Sequence, residues 1–348
     1  MRITPIDTSR RAYAESELLK KAIVPHSLGR LGDLAIRLAL IRGGRLEKPI
    51  HLLFAGDHGI TEEGVTHSPK IITAQQCRSF ARGGGACSLF CRLSGIEMRV
   101  IDVGVDDSFE ADSGVIDCKV GRGTHNFLAQ PAMSPHECTQ AMEIGAREVS
   151  RAVDAGFDTI IFGEMGVGNT TSASAICAAL LAVDPMVVTG KGSGLSDSEL
   201  LSKCEVIRRG LRLHADRSPL AVLASFGGFE IAAITGGILE AARRGMPIII
   251  DGAVVSSAAL VALHIDRAVQ GYLVFGHRSA MTGHDRVLTA LGCTEPILDL
   301  GMQLGEGTGA LAAWPLVRLA SHILDDLESF EEAGVSDSTR LLMEKGLV

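Results

Sequence analysis

Short apolar stretches, each followed directly by a glycine-containing loop and then by a helical pattern, recur along this chain of 348 residues. Residues 50–55, 158–162 and 272–275 are clear examples, because each is rich in Ile, Leu, Val or Phe and ends at a glycine. Uninterrupted apolar strands are typical of parallel sheets, which crossover helices bury on both faces. The pattern therefore predicts an α/β fold with a mainly parallel, Rossmann-like sheet covered by helices on both faces.

The two ends of the chain carry helical patterns without strands. Apolar residues repeat every three or four positions before residue 45, and again from Glu306 almost to the end of the chain. These segments predict a small helical domain built from residues 1–45 and 306–348. Residues 46–305 are expected to form a large α/β substrate-binding domain.

The charge balance disfavours several kinds of partner. The chain has 33 basic and 41 acidic residues and no long basic run, which disfavours nucleic acids and anionic membranes. Eight cysteines include no Cys-x-x-Cys pair, and the first residues have no apolar signal segment. We therefore expect a cytoplasmic protein that binds small molecules and contacts neither nucleic acid nor membrane.

Two glycine-rich loops are suited to binding an anion. Residues 163–171, GEMGVGNTT, follow an apolar strand and precede a helix, an arrangement that presents free backbone N–H groups. Residues 190–195, GKGSGL, precede a second helix that carries Lys203. Because the loops are close in sequence, they suggest one phosphate held from two sides.

A single carboxylate lies between glycines in residues 304–310, LGEGTGA, just before an apolar helical run. Two interpretations of Glu306 are open. It could be a first-turn acid that complements a helix dipole, or a catalytic group that glycines leave accessible. The sequence has no Gly-x-Ser-x-Gly motif and no adjacent nucleophile pair, which disfavours covalent hydrolase chemistry.

A metal hydrolase is the main rival interpretation from the residues alone. Asp57, His58, His277 and His284 all follow apolar strands and could converge in principle. No His-x-x-x-His or His-Glu-x-x-His spacing supports such a site, and loop histidines usually make structural hydrogen bonds. We therefore expect no metal.

Four motifs, in order along the chain, resemble those of the nicotinate-nucleotide:5,6-dimethylbenzimidazole phosphoribosyltransferases. They are residues 27–31 (SLGRL), 56–59 (GDHG) with 63–65 (EGV), 163–171 and 304–310. The resemblance implies a pentosyltransferase of cobalamin lower-ligand synthesis, which moves phosphoribose from nicotinate mononucleotide to a benzimidazole and releases nicotinate. It also implies a homodimer without a metal or organic cofactor.

The same resemblance implies roles for individual residues. Glu306 would be the general base, and Glu164 a second active-site carboxylate. The residues implied to line the base pocket are Ser68, Gln76, Met165 and Leu304. Those implied to bind phosphate or ribose are Gly166, Asn169, Thr170, Gly192, Ser193, Lys203 and Ser279.

Two positions depart from the family pattern. Gln303 stands where an Arg is usual, and Met281 where an acid is common. We expect that the usual Arg and acid form a salt bridge and that both partners have been replaced together, a change that can have almost no effect on stability. The two differences could also indicate that this protein uses another acceptor base. The alternatives are therefore the same fold acting on another benzimidazole, a purine or a phenol, or a non-catalytic nucleotide-binding subunit.

Overall fold

The computed structural model describes residues 2–192, 194–293 and 295–346, so Ser193, an expected phosphate contact, lies outside the described residues. Six parallel strands form one sheet in the order β3-β2-β1-β4-β5-β6. The strands are β1 Pro49–Gly56, β2 Glu97–Gly104, β3 Val115–Asp117, β4 Thr159–Met165, β5 Ile248–Ile250 and β6 Leu273–Phe275. The predicted parallel, Rossmann-like α/β fold is confirmed.

Helices connect and cover these strands. In the described part of the chain they are α1 Arg11–Leu19, α2 Arg30–Ile41, α3 Ile71–Ala81, α4 Ala86–Ser94, α5 Pro135–Asp154, α6 Asn169–Leu181, α7 Asp197–Leu213, α8 Pro219–Phe226, α9 Phe229–Arg243, α10 Ala253–Ile265, α11 His284–Ala290, α12 Thr308–Asp326 and α13 Ser338–Glu344. None of the described helices has both the length and the apolar character needed to cross a membrane.

Strand β1 lies at the centre of the sheet, and all eight of its residues are buried. It pairs with β2 on one side and with β4 on the other, so that Ile50 lies between Glu97 and Ile160. The strand order reverses direction between β1 and β4. In open parallel sheets, ligands bind beyond the carboxyl ends of the strands at such a reversal, which directs attention to the loops that follow these strands.

Close helix packing fixes the frame around the sheet. Helix α5 begins with a capping box in which Ser134 and Glu137 satisfy each other's backbone N–H groups. A Cβ atom on Gly145 of α5 would lie 1.7 Å from the carbonyl oxygen of Ala233 in α9, so only glycine permits this crossing. The contact brings the backbones of the two helices close together.

Helices from both ends of the chain pack against one another. The backbone N–H of Leu46 donates to Ser321 of α12 at 3.0 Å, and the Lys21 ammonium donates to the carbonyl of Leu327 at 2.7 Å. Apolar residues of α2 and α12, such as Leu38 and Trp314, belong to the same hydrophobic core as the sheet. The division into a small and a large domain stays a prediction.

Candidate active site

A cavity of about 640 Å³ lies beyond the carboxyl ends of β4, β5 and β6. Its walls are formed by the loop after β4, residues 190–192 and 194, the residues after β6 and the segment before α12. The lining includes Ser68, Glu164, Met165, Gly166, Asn169, Thr170, Gly192, Lys203, Asp251, His277, Ser279, Met281, Gln303, Leu304 and Glu306. Eleven of the thirteen expected site residues therefore meet at one cavity, and Ser193 is outside the described residues.

Glu306 has an unusual backbone conformation. Its φ is +61°, in the left-handed region that a non-glycine residue rarely adopts, and the φ angles of Gly305 and Gly307 are +83° and +78°. A Cβ on Gly305 would lie 2.4 Å from Oε1 of Glu164, and one on Gly307 would lie 2.9 Å from the carbonyl of Phe162. The two glycines therefore let this strained turn approach β4 closely, as is common at functional sites.

The carboxylate of Glu306 is half-buried and accepts a long hydrogen bond, 3.4 Å, from the backbone N–H of Cys87. Cys87 is the second residue of α4, so the N-terminus of that helix points at the carboxylate and favours its charge. Burial acts in the opposite direction and is the larger effect, so the pKa of Glu306 is raised from its usual value. A raised carboxylate pKa brings a general base closer to neutral pH.

Glu164 is buried beneath the same turn. One of its oxygens accepts from the side-chain amide of Asn169, and the other accepts from the backbone N–H of Glu306 at 3.3 Å. Burial, and then the charges of Asp251 and Glu230, raise the pKa of Glu164 well above its usual value. These bonds join the loop after β4 to the turn that carries Glu306.

Asp251 and His277 also line the cavity. From the sequence, His277 was only a candidate metal ligand, and no role was predicted for Asp251. Oδ1 of Asp251 lies 3.5 Å from Nε2 of His277 and accepts from the backbone N–H of Ala310 at 3.0 Å. Burial raises the pKa of Asp251, but the hydrogen bond and charge of His277, together with hydrogen bonds from the backbone N–H groups of Gly252 and Ala310, outweigh burial and lower the pKa overall. Asp251 is thus an ionised group that holds the first turn of α12. We call Glu164, Asp251 and Glu306 the carboxylate end of the cavity.

A second part of the cavity, which we call the cationic end, is formed by Lys203, Thr170, Gly190 and Gly192. The side chain of Lys203 is only 2% exposed, and its ammonium donates to Thr170 Oγ1 at 3.0 Å and to the carbonyl of Gly190 at 3.4 Å. No carboxylate pairs with Lys203 among the described residues, and burial lowers its pKa to about 8. A buried cation with only neutral partners is suited to an anionic ligand.

The loop after β4 faces this cationic end. Helix α6 begins at Asn169, and residues 166–170 line the cavity. A Cβ on Gly192 would lie 3.4 Å from Thr170 Oγ1 and 3.6 Å from the Lys203 ammonium, so the two glycine-rich loops meet there. A helix N-terminus next to a lysine is a favourable place for a phosphate. Binding of one phosphate from both sides stays a prediction.

Ser279 is buried at the edge of the cavity, where a histidine holds its loop. The backbone N–H of Ser279 donates to Nδ1 of His284 at 2.9 Å, and Nε2 of His284 lies 3.0 Å from Ser256 Oγ. Burial lowers the pKa of His284 to about 4, so this ring is neutral at physiological pH. Met281 follows in the same loop, and the N–H of Ala280 donates to the carbonyl of Met302, which places this loop beside Gln303.

A less polar wall lies next to the carboxylate end. It contains Ile72, Met165 and Leu304 with Ser68, and three of these four residues were expected to line a base pocket. Gln76, the other expected residue, lies one turn after Ile72 on α3, half-buried and outside the described lining of the cavity. The wall is suited to a flat aromatic ligand, because apolar side chains with one or two polar groups are typical of such pockets.

The four residues of the metal hypothesis have separate partners. His58 contacts Ser172 and Glu230, His277 contacts Asp251, His284 contacts Ser256 and the backbone of Ser279, and Asp57 accepts from the backbone N–H of Asp106. Within the described residues no three His, Cys, Asp or Glu side chains are grouped so that they could hold a metal ion. The geometry therefore gives the metal hypothesis no support.

A family model described as phosphoribosyltransferase (DBI_PRT) matches residues 3–335. The chain belongs to this family. It is therefore a transferase, and the cavity described above is the candidate active site of a member of the phosphoribosyltransferase family. This agrees with the family that the four sequence motifs resemble.

Curated relatives match over nearly the whole chain. A protein of Ralstonia nicotianae named nicotinate-nucleotide--dimethylbenzimidazole phosphoribosyltransferase is 44% identical, covering 96% of each chain. One of the same name from Cupriavidus necator is 40% identical, covering 97% of this chain and 98% of the relative. A solved structure of CobT from Thermus thermophilus is 38% identical, with a TM-score of 0.90 over 94% of this chain and 99% of that one.

Proposed function

We propose that this phosphoribosyltransferase moves 5-phosphoribose from nicotinate mononucleotide to 5,6-dimethylbenzimidazole or a related base, giving α-ribazole 5′-phosphate and nicotinate. The observation that carries the proposal is the separation of charge in one cavity. Lys203 is buried without a carboxylate partner among the described residues at one end, and Glu306 lies between glycines at the other. The phosphate of the donor matches the end with Lys203. The acceptor base, which must lose a proton, matches the end with Glu306.

The donor is proposed to bind with its phosphate at the cationic end. The ammonium of Lys203 and the N-terminus of α6 provide the charge, and Thr170 and Gly192 provide close polar contacts. This placement extends the ribose toward the carboxylate end. Holding both substrates in line is expected to supply several kcal/mol of the rate enhancement.

One general base is sufficient for the reaction. The bond between ribose C1′ and the pyridinium nitrogen breaks, and its electron pair neutralises the pyridinium, so nicotinate leaves without a proton. One benzimidazole nitrogen forms the new bond to C1′, and its other nitrogen loses a proton to Glu306. Attack on the face opposite to nicotinate inverts the β-riboside to an α-riboside.

The carboxylate end also suits the charge that develops on the ribose. As the bond to nicotinate breaks, C1′ and the ring oxygen gain positive character. Asp251 carries a negative charge in the cavity wall because His277 keeps its pKa low. A fixed negative charge near developing positive charge stabilises a transition state at little reorganisation cost.

The experiment that tests the proposal is an assay of purified protein with nicotinate mononucleotide and a panel of acceptors. The panel contains dimethylbenzimidazole, other benzimidazoles, a purine and a phenol. Release of nicotinate that depends on a benzimidazole, together with an α-configured product in its NMR spectrum, supports the proposal. Substrate binding without nicotinate release would instead indicate a non-catalytic nucleotide-binding subunit. A faster reaction with a purine or a phenol would change the acceptor.

We also propose a cytoplasmic homodimer with a small helical domain built from both chain ends. The full-length relationship to the family supports this assembly. Light scattering during size-exclusion chromatography tests whether the protein is a dimer. A measured mass equal to that of one chain, 36.6 kDa, would contradict the dimer. Limited proteolysis near residues 45 and 306 tests the domain division.

A further inference from the structure

A buried chain of polar groups lies behind the loop that follows β4, and the mechanism above does not use it. Nδ1 of His58 is 2.9 Å from Ser172 Oγ, and Nε2 of His58 is 2.7 Å from Glu230 Oε1. His58 and Glu230 are fully buried, and Ser172 is 1% exposed. The order of groups is that of a Ser–His–acid triad, but a buried hydroxyl cannot attack a substrate.

The side chain of His58 packs against the backbone of the loop that follows β4. A Cβ on Gly166 would lie 3.2 Å from Nε2 of His58, and one on Gly168 would lie 3.2 Å from Cβ of His58. The side chain therefore packs against the backbone of the loop at both glycines. Its hydrogen-bond partner Ser172 lies in the first turn of α6, whose start at Asn169 forms the cavity wall.

Glu230 holds the other ring nitrogen of His58, Nε2, while Ser172 contacts Nδ1. It is the second residue of α9, and the packing of α9 against α5 fixes its position. Its second oxygen, Oε2, has no hydrogen-bond partner within the described residues. A buried carboxylate oxygen is costly to leave unpaired, so its retention needs a reason other than stability.

We propose that His58 is a positioning residue for the phosphoribosyl donor: held by Glu230 and bonded to Ser172, it fixes the backbone of the loop at residues 166–170. Fixed N–H groups bind an anion without first being ordered. Binding of the donor should therefore depend on the His58 chain, whereas binding of the acceptor should not. This inference rests on the proposed function, because it identifies the donor as nicotinate mononucleotide.

The test compares Ser172→Ala and His58→Gln with Thr235→Val, a matched control. Thr235 is also fully buried, and its hydroxyl donates to the carbonyl of Ile231 within α9, away from the cavity lining. In Ser172→Ala the KM for nicotinate mononucleotide should rise about 3- to 10-fold, with kcat and the acceptor KM within about 2-fold of wild type. His58→Gln should raise the donor KM further, and Thr235→Val should leave it unchanged.

Calorimetric titration with nicotinate mononucleotide and with ribose 5-phosphate provides a readout that does not need turnover. Weaker binding of both ligands to Ser172→Ala, at an unchanged affinity for the acceptor, supports the inference. Equal losses for donor and acceptor, an unchanged donor affinity, or a fall in kcat alone would overturn it. If the wild type binds these ligands but releases no nicotinate, the proposed function fails while the comparison of affinities still decides this inference. Ser172→Ala removes only one oxygen, and thermal unfolding compared with Thr235→Val shows whether any loss is general.

Discussion

At the cationic end of the cavity one ammonium group is buried with only neutral partners in the described structure, whereas at the carboxylate end the charge of Asp251 acts on both Glu164 and Glu306. Lys203 responds to burial with a pKa lowered to about 8, and Glu164 and Glu306 respond with raised pKa values. Each shift favours the neutral form of the group. The comparison shows that burial of charge is costly at both ends of the cavity, and a ligand with an anionic and a cationic part would remove that cost.

The largest effect is expected at the carboxylate end, when the proposed general base Glu306 is replaced. In Glu306→Gln the side chain keeps its size and the turn keeps its left-handed residue, but no proton can be accepted. We expect kcat to fall about 10²- to 10⁴-fold with little change in either KM. Glu62→Gln, which alters an exposed acid outside the cavity lining, is the control and should retain wild-type kcat. An unchanged rate in Glu306→Gln would remove Glu306 from the mechanism.

The cationic end is tested by Lys203→Met, which keeps the length of the side chain without its charge. Loss of a charged hydrogen bond to phosphate should lower kcat/KM for nicotinate mononucleotide about 10- to 150-fold. Without ligand, the Tm should not fall, because the variant no longer buries a cation. The control is Lys191→Met, since Lys191 also lines the cavity but is half exposed and bonded to Asp197. A smaller loss of kcat/KM in Lys191→Met than in Lys203→Met would show that burial makes Lys203 important for donor binding. Equal losses in the two variants would contradict this.

The rigid turn at the carboxylate end is tested by two glycines that share a left-handed φ. The φ angles are +78° at Gly307 and +66° at Gly301, but only at Gly307 would an added Cβ approach other atoms, 2.3 Å from His51 Cε1 and 2.9 Å from the Phe162 carbonyl. Gly301→Ala should cost about 1 kcal/mol, the backbone effect alone. Gly307→Ala should cost about 2–4 kcal/mol and lower kcat. Urea denaturation measures both, and equal costs would show that close packing of this turn contributes nothing.

The smallest expected effect is on the dependence of activity on pH. This profile reports the carboxylate end of the cavity in its acid limb and the cationic end in its alkaline limb. In the acid range, activity should be lost as the pH falls through the pKa of Glu306, at a pH above the ordinary value for Glu because burial raises that pKa. In the alkaline range, kcat/KM for the donor should fall as the pH rises past about 8, where Lys203 loses its charge. Profiles from about pH 5 to about pH 10 measure both limbs. The alkaline limb should be absent in Lys203→Met, and its persistence would assign it to another group.

The sequence predicted the sheet and the loops of the cavity because each depends on local pattern. Buried parallel strands are continuous apolar runs, and their loops need glycine where backbones approach each other. Strand β3, Val115–Asp117, was missed because it lies at the edge of the sheet, where none of its residues is buried and only two consecutive residues are apolar. The family resemblance, rather than the pattern, supplied the expected role of individual residues such as Ser68 and Lys203.

What could not be predicted depends on contacts between distant segments. The raised pKa of Glu164 depends on burial and on the charges of Asp251 and Glu230, which come from other elements of the fold. The pairing of Asp251 with His277 joins the ends of two strands, so neither residue could be assigned to the cavity from its own surroundings. Gln76 lies outside the described lining although Ile72, one turn earlier, is part of it. Ile72 and Gln76 lie four residues apart on the same face of α3, so the helix pattern does not show how far along that face the cavity extends.

The bond from the backbone of Glu306 to the carboxylate of Glu164 spans 142 positions of the sequence, and it has a consequence for the order in which the protein is made. A ribosome completes the strands, both glycine-rich loops and Lys203 well before it adds the turn with Glu306. During synthesis the strands are therefore available to pair before the carboxylate end of the cavity is complete. Activity should appear only after the turn with Glu306 has left the ribosome.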